Sequence, residues 1–145
     1  MLGKLARWLI MLGYDAAYGG AAGESDAALL ERAKKEGRIF LTRDTRIPRA
    51  AGLRMLVVRP TRFEDQLRYV LKALELKPDR QKLFTRCTYC NEALASVPRE
   101  EALALVPPMV QELQTDFWRC GTCKRMYWGG THVQRTVEKL ERWGI

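Results

Sequence analysis

The sequence contains Cys87-Thr-Tyr-Cys90 and, beyond residues 91–119, Cys120-Gly-Thr-Cys123, and these two motifs hold its only four cysteines. With two residues between the cysteines, a tight turn can direct both thiolates at one ion, and two such turns complete a tetrahedral S₄ site for zinc. Two disulfides, four unrelated thiols and an iron–sulfur cluster are the alternatives. Paired Cys-x-x-Cys motifs with hydrophilic turns favour a structural zinc ribbon. We therefore predict zinc bound by Cys87, Cys90, Cys120 and Cys123.

The composition is that of a basic globular protein. The chain has 145 residues, 47% of them hydrophobic, and a formal net charge of +8. This length suits one domain, or a small domain with a module too small to fold unaided. No apolar run approaches a membrane span, and the start does not have the pattern of a secretory signal, so we expect a cytoplasmic protein. The charge favours a nucleic acid as a partner over a merely soluble basic surface. The oligomeric state is left open.

Helix and strand patterns alternate in the N-terminal half. Predicted helices cover residues 2–12, 25–36 and 63–74. A short extended segment is predicted at residues 14–18, and predicted strands cover residues 38–42 and 55–58. The strand segments are short, apolar runs typical of a parallel sheet, so the alternation indicates an α/β fold. A polar segment at residues 77–80 has the composition of a linker. We therefore predict an α/β domain over residues 1–77.

The C-terminal part, residues 84–145, is predicted to be the zinc ribbon with a closing helix. Residues 117–119 and 126–128 read as the two arms of a hairpin around the second cysteine turn. A helix is expected to begin at Pro98 and to end at Pro107-Pro108. Thr131 can cap the closing helix.

Two aspartates lie at element boundaries of the predicted α/β domain. Asp26 opens a helix and Asp44 directly follows a strand. In such sheets ligands bind beyond the carboxyl ends of the strands, and a crossover helix can bring both carboxylates to one rim. Carboxylates without nearby Cys or His suit Mg²⁺ or Mn²⁺, which can promote phosphodiester hydrolysis. A helix cap for Asp26 and a turn residue for Asp44 are the alternatives.

Six residues are candidates for RNA binding. Four are cations expected near the acidic rim, where Arg can pair with phosphate in a bidentate fork, and two are ring side chains that can stack on a base or contact phosphate. They are Lys4, Arg7, Arg43, Arg46, Trp128 and His132. Core packing for Trp128 and a surface or capping role for His132 are the alternatives.

Five motifs, in order along the chain, resemble those of the Mut-seven C-terminal RNase domain family. They are Met1-Leu-Gly-Lys-Leu-Ala-Arg-Trp-Leu9, Leu12-Gly-Tyr-Asp15, Arg38-Ile-Phe-Leu-Thr-Arg-Asp44, Arg86-Cys-Thr-Tyr-Cys-Asn91 and Tyr127-Trp-Gly-Gly-Thr-His132. The resemblance implies a PIN-like, mostly parallel sheet with flanking helices, followed by a small zinc ribbon. It also implies an acidic rim that binds Mg²⁺ or Mn²⁺ and cuts RNA, with Asp44 as the acid of the Thr-x-Asp segment and Asp26 as the acid opening the preceding helix.

The resemblance further implies a strand ending in an aspartate just ahead of the segment that begins at Met1. We therefore expect this chain to lack that strand and one metal ligand. The leading function is a metal-dependent ribonuclease or a degenerate descendant, active as an Mg- or Mn-dependent endoribonuclease if that aspartate is supplied upstream. The alternative is a non-catalytic RNA-binding zinc-ribbon protein. A toxin-like partner of an antitoxin is allowed by the fold but has no motif here.

Overall fold

The structure is a computed structural model and describes residues 2–19 and 23–145, so Met1 of the first motif lies outside the described residues. Helices and strands are mixed along the chain. They are α1 (Gly3–Met11), α2 (Asp26–Lys35), β1 (Phe40–Thr42), β2 (Met55–Val57), α3 (Phe63–Ala73), β3 (Leu94–Val97), α4 (Arg99–Leu103), α5 (Pro108–Leu113), β4 (Phe117–Cys120), β5 (Met126–Trp128) and α6 (Thr131–Arg142), with a 3₁₀ turn at Arg80–Lys82. In the described part of the chain, no helix combines the length and the apolar character needed to cross a membrane.

The chain divides into two compact units. The first consists of Met1–Ala6 and Ala17–Lys77, and the second of Arg7–Ala16 and Pro78–Ile145. Contacts within the second unit explain why residues 7–16 belong to it. The rings of Trp8 and Trp143 lie 4.9 Å apart, and the backbone N–H of Phe84 donates to the carbonyl of Met11 at 2.8 Å.

The first unit contains a two-stranded parallel sheet. β1 and β2 pair in the register Phe40↔Met55, Leu41↔Leu56 and Thr42↔Val57. The predicted strand pair and its parallel direction are therefore confirmed. α3 presents a buried face made of Gln66, Leu67, Val70 and Leu71. Gln66 is the polar member of that face, and its side-chain amide donates to the backbone carbonyls of Pro60 and Thr61 at 3.1 and 3.3 Å.

Residues at both ends of α2 fix its limits. Ser25 is the N-cap, and its hydroxyl oxygen accepts a hydrogen bond from the backbone N–H of Ala28 at 3.3 Å. At the other end Gly37 has a φ of 64°, and the N–H of Arg38 donates to the carbonyl of Ala33 at 2.8 Å. That left-handed glycine with its bridging hydrogen bond is a Schellman ending. Local interactions therefore set both ends of α2.

The second unit contains a three-stranded antiparallel sheet in the order β3-β4-β5. α4 and α5 lie between β3 and β4 in the chain. Ala102, Val106 and Phe117 form a buried cluster, and Val97, Val110, Met126 and Trp128 pack against it.

Two elements of this unit differ from the prediction. β3 was not predicted, because only Leu94 and Val97 of its four residues are even half-buried and its alternation is weak. Pro107-Pro108 does not simply end a helix, because Pro107 is the N-cap of α5 and Pro108 occupies its first turn. Proline suits a first turn because its missing N–H would have no partner there.

Candidate metal centre and acidic rim

The first cysteine turn, Cys87-Thr-Tyr-Cys90, is held by its backbone. The N–H of Asn91 donates to the carbonyl of Cys87 at 2.8 Å, and the N–H of Cys87 donates to the carbonyl of Glu92 at 2.8 Å. Asn91 has a φ of 61°, a left-handed conformation that asparagine tolerates better than most residues. The chain reverses its direction at this turn, so Cys87 and Cys90 lie on the same side of it.

The second turn, Cys120-Gly-Thr-Cys123, repeats this pattern. The N–H of Lys124 donates to the carbonyl of Cys120 at 3.0 Å, and the N–H of Cys120 donates to the carbonyl of Arg125 at 3.0 Å. Lys124 has a φ of 61°, the same value as Asn91 in the first turn. The two turns therefore share the same backbone hydrogen bonds and the same left-handed residue after the second cysteine.

The two turns bring the four predicted cysteines together. Their sulfur atoms all lie within 4.8 Å of one another, and the sulfurs of Cys87 and Cys123 are 3.7 Å apart. A tetrahedral site with Zn–S bonds of about 2.3 Å has sulfurs separated by about 3.8 Å. The cysteines are free rather than joined in disulfides, with Cys87 and Cys120 buried. The four residues can hold one metal ion such as zinc.

Tyr127 of β5 lies beside the cysteines. Its hydroxyl lies 3.0 Å from the sulfur of Cys87. Burial, and then this hydrogen bond, raise the pKa of Tyr127 to about 12, so the phenol is the donor. Burial raises the pKa of Cys87, but the bond from Tyr127 and the N–H groups of Cys90 and Tyr89 outweigh it and lower that pKa to about 6. No spacing in the sequence signals this contact.

The second cysteine of the first turn behaves in the opposite way. Hydrogen bonding to Cys123 and then burial raise the pKa of Cys90 to about 12, and the charge of Cys87 adds to the effect. Negative charge on one sulfur thus opposes ionisation of the next, as expected for crowded thiols.

Asp44 follows β1 and is firmly held. Its backbone N–H donates to the hydroxyl oxygen of Thr42 at 3.0 Å. Its carboxylate accepts from the backbone N–H of Arg46 at 2.8 Å and from the Arg46 guanidinium at 3.0 and 2.8 Å. The hydrogen bonds from Arg46, side chain first, lower the pKa of Asp44 to about 2. The carboxylate is therefore ionised, and it is paired with the guanidinium of Arg46.

Asp26 is exposed in the first turn of α2 and is not the helix cap, because Ser25 fills that role. Its charge nevertheless reaches Arg46: the pKa of Arg46 is raised first by Asp44 and in addition by Asp26. Arg46 thus connects the two predicted acids electrostatically. Among residues 2–19 and 23–145, however, carboxylates do not assemble a set of three ligand groups as the cysteines do.

The predicted RNA-binding cations of the first unit have different surroundings. The ammonium of Lys4 lies 4.3 Å from the centre of the Phe63 ring, and Arg43 is half-buried. The side chain of Arg46 is 88% exposed even though it pairs with Asp44. Arg46 can therefore leave the carboxylate without disturbing any packing.

The remaining candidates belong to the second unit. Arg7 is exposed and its guanidinium carbon lies 5.8 Å from the centre of the Tyr89 ring. Trp128 packs against the cluster around Phe117, which is the core role given above as its alternative. His132 is exposed at the start of α6, and the centre of its ring lies 6.1 Å from the centre of the Phe84 ring.

The fold and the site define a mixed helix-and-strand protein with four cysteines placed close enough together to hold a metal ion. A family model described as the Mut7-C RNAse domain matches residues 1–140. The chain belongs to that family, which confirms the resemblance found in the sequence and indicates a nuclease-like or RNA-related function. No curated protein and no solved structure gives a significant match.

Proposed function

We propose that the chain is a PIN-like, metal-dependent ribonuclease that hydrolyses RNA phosphodiesters, or a degenerate descendant of one. The observation that carries the proposal is an ionised Asp44 at the carboxyl end of β1, in a chain of the RNase domain family. Ligands of parallel sheets bind at this end of the strands. The parallel pair β1–β2, with α2 and α3 beside it in the chain, supports a PIN-like reading of the first unit.

Zinc at the four cysteines would have a structural role. Four cysteines would supply all four ligands of a tetrahedral ion, which leaves no open position for a substrate. Cys87 and Cys120 are also buried. Binding of zinc to such a site contributes on the order of 10–16 kcal/mol at neutral pH in zinc-finger peptides. Free thiols also fit a reducing compartment such as the cytoplasm.

Asp44 and Asp26 would hold Mg²⁺ or Mn²⁺ at the acidic rim. Both are oxygen ligands, the donor type that these hard cations prefer. A bound ion would supply a more acidic water and charge neutralisation at the phosphate. The protein's own contribution is to keep Asp44 ionised and to hold Arg46 beside it, where the guanidinium can move to a phosphate.

The test is cleavage of labelled single-stranded RNA in Mg²⁺ and in Mn²⁺, with Mn²⁺ binding followed by electron paramagnetic resonance. Asp44→Asn should bring cleavage to background and weaken Mn²⁺ binding while zinc content is unchanged. Asp65→Asn is the matched control, since Asp65 also pairs with an arginine, Arg68 at 3.0 Å, but on the exposed face of α3. Full cleavage by the Asp44 variant would overturn the assignment.

A non-catalytic RNA-binding zinc-ribbon protein is the second candidate. It is favoured by the ion pair of Arg46 with Asp44 and by the absence of a three-carboxylate set in the described part of the chain. This candidate predicts RNA binding that weakens steeply with salt, because phosphate contacts release counterions, and no cleavage in either metal. Cleavage that depends on Asp44 would exclude it.

A further inference from the structure

The first cysteine turn carries an aromatic ring on its outside. Tyr89 stands between Cys87 and Cys90 and is 62% exposed, whereas Phe117 of the same unit is 1% exposed. The backbone around this ring is fixed by the hydrogen bonds of the turn, so the ring is presented on a rigid support. An exposed ring on a rigid turn contributes little to the core and is suited to contact with a ligand.

Two arginines surround the ring. The guanidinium carbon of Arg125 lies 3.5 Å from the ring centre of Tyr89, which is stacking distance, and that of Arg7 lies at 5.8 Å. Arg125 follows the second cysteine turn, and its backbone carbonyl accepts from Cys120 at 3.0 Å. The ring and its closest cation are thus each attached to one of the two cysteine turns.

The arginines are available for a ligand. Both are exposed, and within residues 2–19 and 23–145 neither forms an ion pair with a carboxylate. The acid beside the turn, Asp15, accepts a hydrogen bond from the side-chain amide of Asn91 at 2.5 Å. Exposed Lys124 adds a further positive charge next to Arg125.

We propose that Tyr89, Arg125 and Arg7, named here the Tyr89 patch, bind single-stranded RNA through base stacking. A base stacks against the Tyr89–Arg125 pair, and the guanidinium of Arg7 pairs with an adjacent phosphate. Stacking requires an unpaired base, since bases within a duplex already stack on one another. The proposal rests on the proposed RNA-related function and adds a second contact surface, in the unit that holds the cysteines.

The experiment measures RNA affinity by fluorescence anisotropy in buffer free of Mg²⁺ and Mn²⁺, with a single-stranded oligonucleotide that contains 2-aminopurine. Tyr89→Ala should weaken binding by about 5- to 140-fold, the range expected for one lost stacking contact. It should also abolish the quenching of 2-aminopurine that stacking produces. Tyr89→Phe should bind as the parent does, because stacking uses the ring and not the hydroxyl.

Arg125→Gln should also weaken binding, whereas Arg135→Gln, which removes an exposed charge on α6, should have a smaller effect. Zinc content and circular dichroism check that each variant is folded, and Tyr89→Leu provides a second variant with a bulkier side chain. If Tyr89→Ala binds as the parent does, the patch is overturned while the Asp44 assay still stands by itself. If the parent protein neither binds nor cuts RNA, both proposals fail.

Discussion

The four-cysteine cluster and the proposed acidic rim differ in how their candidate ligands are held. Each cysteine turn closes two backbone hydrogen bonds over a few residues, so the positions of the two sulfurs within a turn are set by local structure. The acids come from two different elements, α2 and the end of β1, and an arginine holds the charge of Asp44. Each half of the four-cysteine cluster is thus prepared by its own turn, whereas the rim would take single acids from two elements and would depend on the departure of Arg46.

The largest effect should come from a lost sulfur. Cys120→Ser removes a buried ligand at the end of β4, and we expect well under one zinc per chain and loss of cooperative folding in the second unit. Metal analysis and thermal circular dichroism measure this. Thr122→Ser alters the same turn without touching a ligand and serves as the control. A Cys120 variant that keeps one zinc and an unchanged melting curve would show that the turns are stable without metal.

A smaller effect should follow from loss of the hydroxyl that supports Cys87. Tyr127→Phe deletes the 3.0 Å contact with the sulfur, so the pKa of Cys87 should rise and zinc affinity should fall by about 10-fold. Competition with a zinc chelator measures the affinity. Tyr89→Phe deletes a hydroxyl from the exposed ring of the same unit and should leave zinc affinity unchanged. Equal affinities for parent and Tyr127 variant would mean that the turns alone determine metal binding.

Arg46→Ala tests the proposed acidic rim. Removing the guanidinium frees the oxygens of Asp44, so Mn²⁺ should bind a few-fold more tightly; the change is modest because exposed ion pairs are weak. Electron paramagnetic resonance gives the Mn²⁺ affinity, with Arg49→Ala as a control that removes a nearby exposed charge. Weaker Mn²⁺ binding in the Arg46 variant would mean that the arginine helps to build the rim rather than competing for it.

The smallest effect is the pH dependence of the Asp44–Arg46 pair. The pKa of Asp44 in the folded chain, about 2, lies below its ordinary value of 3.8. The pair therefore contributes stability that is fully present above pH 3.8 and is lost as the pH falls through about 2. Carbon-13 titration of the carboxyl group measures the pKa, which should move towards 3.8 in Arg46→Ala. A pKa that does not change would contradict the hydrogen bonds.

Local chemistry made much of the fold predictable. The spacing of Cys87 and Cys90 and of the second pair predicted that the four cysteines meet, and the predicted helix over residues 25–36 differs from α2 by one residue at each end. The parallel pairing of β1 with β2 followed from two apolar runs with a helix pattern on each side. In each case the deciding residues are close together in sequence, or their pattern is strong enough to determine the element alone.

Long-range contacts were the part that sequence patterns did not predict. β3 exists because it pairs with β4 across α4 and α5, not because of its own alternation. Residues 7–16 continue a helix that begins in the first unit, and only tertiary contacts such as that of Trp8 with Trp143 assign them to the second. The stacking of Arg125 on Tyr89 likewise joins a residue of the first cysteine turn to one that follows the second turn.

The pairing of β3 with β4 has a consequence for how this protein can change. The second cysteine turn lies inside the β4–β5 hairpin, but the first turn reaches it only after the chain has closed a loop that includes α4 and α5. The entropy of closing a flexible loop grows slowly, by about 0.6 kcal/mol for each doubling of its length. The connection from β3 to β4 can therefore lengthen at little cost while the two turns still meet, which makes it a tolerant place for insertions.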